Sequence, residues 1–331
     1  MSQAIPAPPG SSLVVRGLRT TFMAHGGAIT AVDGIDLDVG AGEVVGLVGE
    51  SGSGKSVTLR SLIGLVRPPG SVSGEVLWQG RNLVGLSEES LRLVRGREIA
   101  LIFQEPMTAL NPVLTVGRQI RENLAAHTDL GPQARRARAI ELLQLVGIAA
   151  AQRRIDDYPH QFSGGMRQRA MIAIALASHP RLLLADEPTT ALDVTIQDQI
   201  LKLILRLSRE FEMSVVLVTH DLGVVAQTCD RLAVMYAGRI VETGPVDAVF
   251  RRPAHAYTKG LLGSVPTGKG QRQKLKAISG TPPSLASLPE GCAFGPRCGY
   301  ASPRCAERKP DLAEVAPNRR SACIHHDRIL P

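Results

Sequence analysis

Gly49, Gly54, Lys55 and Ser56 stand at the spacing G-x4-G-K-S, with Glu50, Ser51, Gly52 and Ser53 between the glycines. That combination can hold phosphate. Glycines let the main chain turn its N–H groups inward around an anion. A helix that opens at Lys55 aims the positive end of its dipole at the same point. Lys55 supplies a compact positive charge for β- and γ-phosphates, and the Ser56 hydroxyl suits Mg2+. A Gly/Ser linker without a ligand is the alternative, and the ordered flanks argue against it. Lysine usage points the same way. The first 250 residues hold only Lys55 and Lys202 against 22 arginines. A lysine inside the loop therefore looks selected for a thin ammonium where a planar guanidinium would not fit.

Four further groups could do chemistry. The apolar run RLLLADE ends in Asp186 and Glu187. A strand-end aspartate can orient the water shell of Mg2+, and the next carboxylate can polarise an attacking water. Two adjacent acids also read as a plain helix start. His220 closes SVVLVTH; at the end of a parallel strand it would lie near the ligand edge of a sheet and could touch a γ-phosphate, although a lone histidine is often structural. Ser163, Gly164 and Gly165 precede a helix expected from about Met166, which is either a second anion-binding geometry or an ordinary N-cap. Finally, Cys292, Cys298, Cys305 and Cys323 follow the spacing C-x5-C-x6-C-x17-C. Four thiolates can ligate a [4Fe–4S] cluster; zinc sites more often start with a tighter pair, and free thiols are the third option. Cys229, beside Asp230, reads as a packed small residue.

These groups need strands and helices to place them. SLVVRGL, AITAVDGIDLDV and GEVVGLV read as strands, the alternation in IDLDV being strand-like. SVTLRSLIGLV has helical spacing and stops before Pro68 and Pro69, so the phosphate loop is a strand–loop–helix junction. Residues 86–180 read as mostly helical. RLLLADE and SVVLVTH are buried-strand candidates separated by an amphipathic helix from Ile196 to about Phe211, with Ile200, Leu203, Ile204 and Leu207 on one face. Strand–helix–strand alternation implies an α/β fold with a mostly parallel sheet.

Composition bounds the rest. The hydrophobic content is 44%, that of a globular chain. No apolar run reaches the roughly 18 residues that a membrane span needs. MSQAIPAPPGSS lacks the basic and apolar regions of a signal peptide, so residues 1–12 are expected to be a flexible tail and the chain to stay in the cytosol. There, structural disulfides are disfavoured and clustered cysteines point to a metal or cluster. The charge is uneven: residues 251–331 carry 14 Lys or Arg against 5 Asp or Glu, the first 250 carry 24 against 25. A basic tail can meet anionic lipid or nucleic acid or simply be solvated; with so few aromatics, base stacking has little support.

GESGSGKS, IFQEPMTALNP, YPHQFSGGMRQR, LLLADEPTTALDVT and LVTHDLGVV occur in the order seen in ATP-binding-cassette ATPases, and the chain resembles that family over about residues 13–265. FSGGM is similar to the cassette signature, with Phe162 and Met166 departing from its usual LSGGQ. The run GTPPSLASLPEGCAFGPRCGYASPRC with Cys323 resembles the C-terminal extension of the oligopeptide/dipeptide/nickel importer branch. The resemblance implies a P-loop NTPase cassette at 13–255, with a parallel core sheet, an antiparallel β subdomain and a helical subdomain at about 105–180. An extension at 256–331 would carry the four-cysteine site, a [4Fe–4S] cluster or zinc, as in related transporters. It further implies ATP on Gly49 and on Ser51 to Val57, with Phe22 stacking on adenine unless that ring is a core residue. Mg2+ would be held by Ser56 and Gln104, with Asp186 acting through water. Glu187 would be the general base, His220 would hold the γ-phosphate, and Asp193 would be the D-loop aspartate. Ser163, Gly164 and Gly165 would close over ATP bound to a second, homologous ATPase subunit. The remaining partners implied are two transmembrane permease subunits, whose coupling helices would meet the segment after Gln104, and an extracytoplasmic substrate-binding protein, with no nucleic acid. The chain would sit peripherally on the cytoplasmic face of a bacterial inner membrane and energise import of di- and oligopeptides. Nickel, glutathione or another small solute are the alternative cargoes. A cassette ATPase without a membrane partner, and a nucleotide-binding regulator without turnover, are the competing functions.

Overall fold

Alternating apolar residues give the described chain its first element. In the computed structural model, which describes residues 11–190, 192–264 and 278–330, Leu13, Val15 and Leu18 of the Ser11–Ala24 strand are wholly buried. This strand pairs antiparallel with Gly27–Gly40 through a two-residue turn and, on its other side, with Gly70–Trp78. Arg81–Asn82 completes a four-stranded antiparallel sheet. The strand begins at Ser11, so two residues of the tail expected at 1–12 are ordered in the sheet, and residues 1–10 lie outside the described ones.

Two units divide the chain: Met1–Val84 together with Thr219–Pro331, and Gly85–Val218. Besides the antiparallel sheet, the first unit holds Val44–Val48, which pairs parallel with Arg231–Tyr236. All five residues of Val44–Val48 are buried. Continuous burial, without alternation, is the mark of a strand covered on both faces. Arg231–Tyr236 turns back antiparallel into Arg239–Pro245, whose outer edge takes Arg319–Ser321 and then Ala313–Ala316. The chain beyond Ala256 therefore does not separate as a body of its own. It adds strands to the first unit and buries Tyr257, Phe294, Ala322 and Ile329 against Tyr236, Val241 and Val249. Residues 265–277, part of the basic segment, lie outside the described ones.

In the second unit Leu182–Asp186 runs parallel between Ile99–Ile102 and Ser214–Thr219. Helices Val116–His127, Pro132–Leu145 and Gly164–Ala175 pack on one another. The amphipathic helix spans Val194–Glu210 and buries Ile200, Leu203, Ile204 and Leu207, as its periodicity predicts. It starts two residues earlier than the periodicity suggests because Asp193 caps it. Ile99–Ile102 interrupts the stretch read as mostly helical; four residues are too few to display either period. Among the described residues, no helix is long and apolar enough to cross a membrane.

Candidate functional site

The glycine loop lies between the Val44–Val48 strand and helix Lys55–Leu62. Gly49, Gly52 and Gly54 have φ of 156°, 77° and 103°, values that side-chain-bearing residues rarely adopt. Space enforces the choice at two of them. A Cβ on Gly49 would collide with the Met235 carbonyl oxygen, and one on Gly54 with that of Ala31. The Lys55 side chain is buried, and its Nζ donates to the carbonyls of Gly49, at 2.8 Å, and Glu50, at 2.9 Å. The ammonium thus folds back over its own loop, largely shielded from water. Ser56 follows in the first turn of the helix, half-buried, and Val57 after it. Ser51 and Gly52 are exposed and Ser53 is buried.

Phe22 is half-buried on the first strand, opposite Ile29 and Gly70. A Cβ on Gly70 would stand 2.7 Å from its Cε1, so the ring lies against the bare glycine backbone. His220 is exposed at the end of its strand, and the next residue, Asp221, caps helix Leu222–Thr228.

In the second unit, Asp186 is buried at the end of its strand, 4% exposed, and the chain then turns sharply at Glu187, whose φ is 44°. Its N–H donates to the Val218 carbonyl at 3.0 Å. Glu187 Oε2 accepts from Thr190 Oγ1 at 2.8 Å and from Gln104 Nε2 at 3.2 Å. Gln104 is exposed just beyond Ile99–Ile102. The structure therefore brings together two residues 83 apart in sequence that the sequence motifs single out separately. A non-glycine residue held at positive φ with an oriented carboxylate is a constraint of the kind that clusters at working sites.

Ser163 and Asp193 both cap helices. Ser163 Oγ accepts from the Met166 N–H at 3.3 Å, and Asp193 Oδ1 from the Ile196 N–H at 3.0 Å. The N-cap alternative for Ser163 is thus realised. Ser163, Gly164 and Asp193 are nonetheless exposed. Gly165 faces Ile196, where a Cβ would stand 3.0 Å from Cγ2, so the two helix starts lie side by side.

Cys292, Cys298, Cys305 and Cys323 line one cavity of about 20 Å3 together with His325. That is room for one water-sized group, less than a four-iron core needs. Among the described residues, no three His, Cys, Asp or Glu are arranged to hold a metal ion, and the cysteines are free thiols. Burial pushes the Cys292, Cys298 and Cys323 thiols up, Cys323 to about 11. In this arrangement they are protonated. The expected metal centre is thus not formed here: the four thiols line one cavity without the arrangement of a coordination shell. Cys229 packs beside Gly46, and burial lifts its thiol to about 11.

Two residues at the loop escape every sequence signal. Tyr257 Oη accepts from the Glu50 N–H at 2.8 Å, and the Arg297 guanidinium grips the Glu50 carboxylate. Tyr257 lies in the first turn of helix Ala256–Gly263, expected to belong to the extension; Arg297 sits inside GPRC, where the neighbouring cysteine draws attention. No local spacing could tie either to residue 50.

A family model described as ABC transporter matches residues 32–190, and one described as oligopeptide/dipeptide transporter, C-terminal region, matches residues 241–305. The oligopeptide transport ATP-binding protein OppD of Bacillus subtilis is 52% identical over 292 residues, covering 87% of this chain and 82% of that protein. The dipeptide transport ATP-binding protein DppD of the same organism is 48% identical over 321 residues, covering 96% and 90%. Among solved structures, the dimeric bacterial ABC transporter cassette MJ0796 superposes with a TM-score of 0.64 at 31% identity, covering 71% of this chain and 98% of that one.

Proposed function

The chain belongs to the ABC transporter family, and we propose that it is the ATP-hydrolysing subunit of an importer of di- and oligopeptides. It has the cassette ATPase fold, an α/β mixed sheet with helical parts. The observation that carries the nucleotide reading is Lys55: a buried ammonium held over a loop in which Gly49 and Gly54 have no room for a side chain. An incoming phosphate offers that ammonium a better partner than two neutral carbonyls, because a charge-assisted contact is roughly twice as strong. Peptide as cargo is supported by the family match at 241–305 and by the peptide-transport relatives.

The proposed roles follow. Gly49, Ser51, Gly52, Ser53, Gly54 and Val57 wrap the phosphates, and Phe22 takes the adenine face. Glu187 accepts the proton of a water as its oxygen bonds to the γ-phosphorus and the bond to the ADP oxygen breaks. His220 holds the γ-phosphate. Oxygen donors suit Mg2+, and Ser56, Gln104 and Asp186 are such donors. With Nε2 donating to Glu187, Gln104 would have its Oε1 left to offer the cation. When bound, Mg2+ would neutralise charge building on the phosphate oxygens. Ser163, Gly164 and Gly165, with Asp193 beside them, would cover the nucleotide of a second cassette, expected to be a distinct homologous chain. Two permease subunits and an extracytoplasmic binding protein complete the assembly, which would place this chain peripherally on the cytoplasmic face of the inner membrane.

The four cysteines are proposed as the seat of a [4Fe–4S] cluster, with zinc as the alternative. The convergence of all four on one cavity supports this; loading a cluster requires the cavity to widen. Anaerobically purified protein that is brown and carries about four irons per chain is the expected result, and colourless, iron-free material would remove the cluster.

Lys55→Ala tests the main reading: the full assembly should lose both ATP binding and peptide-stimulated hydrolysis. Undiminished turnover would overturn it. A complex whose ATPase rises with nickel-loaded or glutathione-loaded binding protein, but not with peptide, would reassign the cargo while leaving the enzyme in place.

A further inference from the structure

Arg297 lies outside every motif of the nucleotide site and 247 residues from Glu50. Its guanidinium nevertheless closes a two-pronged pair on the Glu50 carboxylate, Nη1 to Oε2 at 2.7 Å and Nη2 to Oε1 at 3.0 Å. The same fork is held from behind. Nε donates to the Ser279 carbonyl at 2.9 Å, and Nη1 also reaches Tyr236 Oη at 3.2 Å. The Arg297 side chain is 5% exposed and that of Glu50 25%. A charge pair this enclosed, bidentate and braced is unlike a solvent-facing one, which contributes little. The Glu50 carboxylate holds the guanidinium's pKa well above its ordinary value.

Glu50 is engaged at all three of its polar groups. Its carboxylate takes Arg297, its N–H donates to Tyr257 Oη at 2.8 Å, and its carbonyl accepts Lys55 Nζ at 2.9 Å. Whatever fixes Glu50 therefore fixes one of the two carbonyls on which the phosphate-binding ammonium rests. Gly49 before this residue and Gly52 and Gly54 after Ser51 leave the loop little stiffness of its own. Without the clamp, the loop must be ordered when nucleotide arrives, and that ordering weakens binding.

We propose that Arg297 is a positioning residue of the nucleotide site, acting through Glu50 to hold the loop and Lys55 ready for phosphate. The proposal rests on residues 49–56 being the nucleotide loop. Arg297 touches no reacting atom, so its loss should weaken ATP binding and leave the chemical step alone. Lysine at this position would keep the charge but not the fork.

The test uses the full-length chain, Mg-ATP in equilibrium dialysis, and steady-state hydrolysis in the assembled complex. For Arg297→Ala, Kd and KM for ATP should both rise about tenfold, the scale of a charge-assisted hydrogen-bonded pair, with kcat within about twofold of wild type. Glu50→Gln should behave alike, and the double variant should be no weaker than the weaker single, because both act through one contact. Arg297→Lys should recover part of the loss and not all of it. Unchanged ATP affinity in Arg297→Ala, a fall in kcat at constant KM, or losses that multiply in the double variant would each overturn the proposal. Should Arg297→Ala fail to fold, Glu50→Gln decides alone: wild-type affinity there refutes the clamp. A wild-type chain that does not bind ATP would instead bring down the reading of the loop itself, and the clamp with it.

Discussion

Replacing Glu187 by glutamine separates the proposed chemistry from binding. The carboxylate sits on a backbone turn at φ 44°, and its Oε2 accepts from Thr190 Oγ1 and Gln104 Nε2. A glutamine can present its amide oxygen to the same two donors, in the same rotamer and at the same positive φ. The fold and the proposed phosphate loop are therefore untouched, and the melting temperature should move by no more than a few degrees, about 1 kcal/mol. What the amide cannot do is accept a proton. General-base catalysis contributes about 10²- to 10⁴-fold, which at 1.36 kcal/mol per decade is roughly 3 to 5 kcal/mol of barrier. The assay is phosphate release by the assembled complex at saturating Mg-ATP, beside equilibrium ATP binding. Expected are a fall in kcat of at least about a hundredfold and a Kd within about threefold of wild type. Turnover within threefold of wild type would refute the base assignment. Parallel loss of binding and turnover would refute the separation, making Glu187 a binding group.

Three further perturbations bear on the frame around the site. Gly49→Ala places a Cβ against the Met235 carbonyl at a φ of 156°; it should cost more than about 2 kcal/mol of stability or abolish ATP binding, read by thermal melts and nucleotide dialysis. Arg319→Ala leaves the buried Glu242 carboxylate, partnered at 3.1 Å, without its charge partner; about 3 kcal/mol should be lost in denaturant unfolding, whereas a double Glu242→Gln/Arg319→Met change should lose less. Glu43 is paired with Arg231 at 2.8 Å; burial alone would raise its pKa, but the guanidinium and the Gly40 N–H hold it below its ordinary 4.5. The folded form thus binds this proton less readily than the unfolded one. The stabilisation is complete above pH 4.5 and drains as pH falls through the lower folded value, so Glu43→Gln should show a flatter melting-temperature profile below pH 4.5 than wild type.

Sequence reading could reach those parts of the candidate site that are written locally. The proposed phosphate loop is marked by glycine spacing next to an apolar run, and Asp186–Glu187 by an apolar strand ending in acids. Both signals arise within a dozen residues, from backbone sterics and burial. Hydrophobic period alone sets the start of the Val194–Glu210 helix two residues late, because it does not register the Asp193 cap. Strand Ile99–Ile102 left no trace among helices because its four residues complete neither a helical turn nor a clear alternation. The Gly70–Trp78 strand, exposed along half its length, likewise lacks the apolar regularity that marks a core strand. Arg297 and Tyr257 are a different kind of omission. Their chemistry is ordinary in sequence and becomes specific only when Phe294 and Tyr257 of the extension pack on Tyr236.

A loop rich in glycine loses more conformational freedom on folding than any other, and here the ordering comes from places remote in sequence. Met235 presses its carbonyl toward Gly49 and Ala31 toward Gly54. The Gly238 N–H donates to the Ser53 carbonyl at 2.9 Å, while Tyr257 and Arg297 hold Glu50. Lys55 then closes the ring from within. These contacts come from the antiparallel sheet, the Arg231–Tyr236 strand with the turn after it, and the C-terminal segment, three regions with no phosphate chemistry of their own. Each contact lowers the entropy that nucleotide binding must otherwise remove, and none stabilises the transition state more than the ground state. Substitutions at these distant positions should accordingly register in ATP affinity before they register in turnover, whereas substitutions at Glu187 should do the reverse. That opposition follows from where each group touches the loop, and it separates the scaffold of this site from its chemistry without reference to how far a residue lies along the chain.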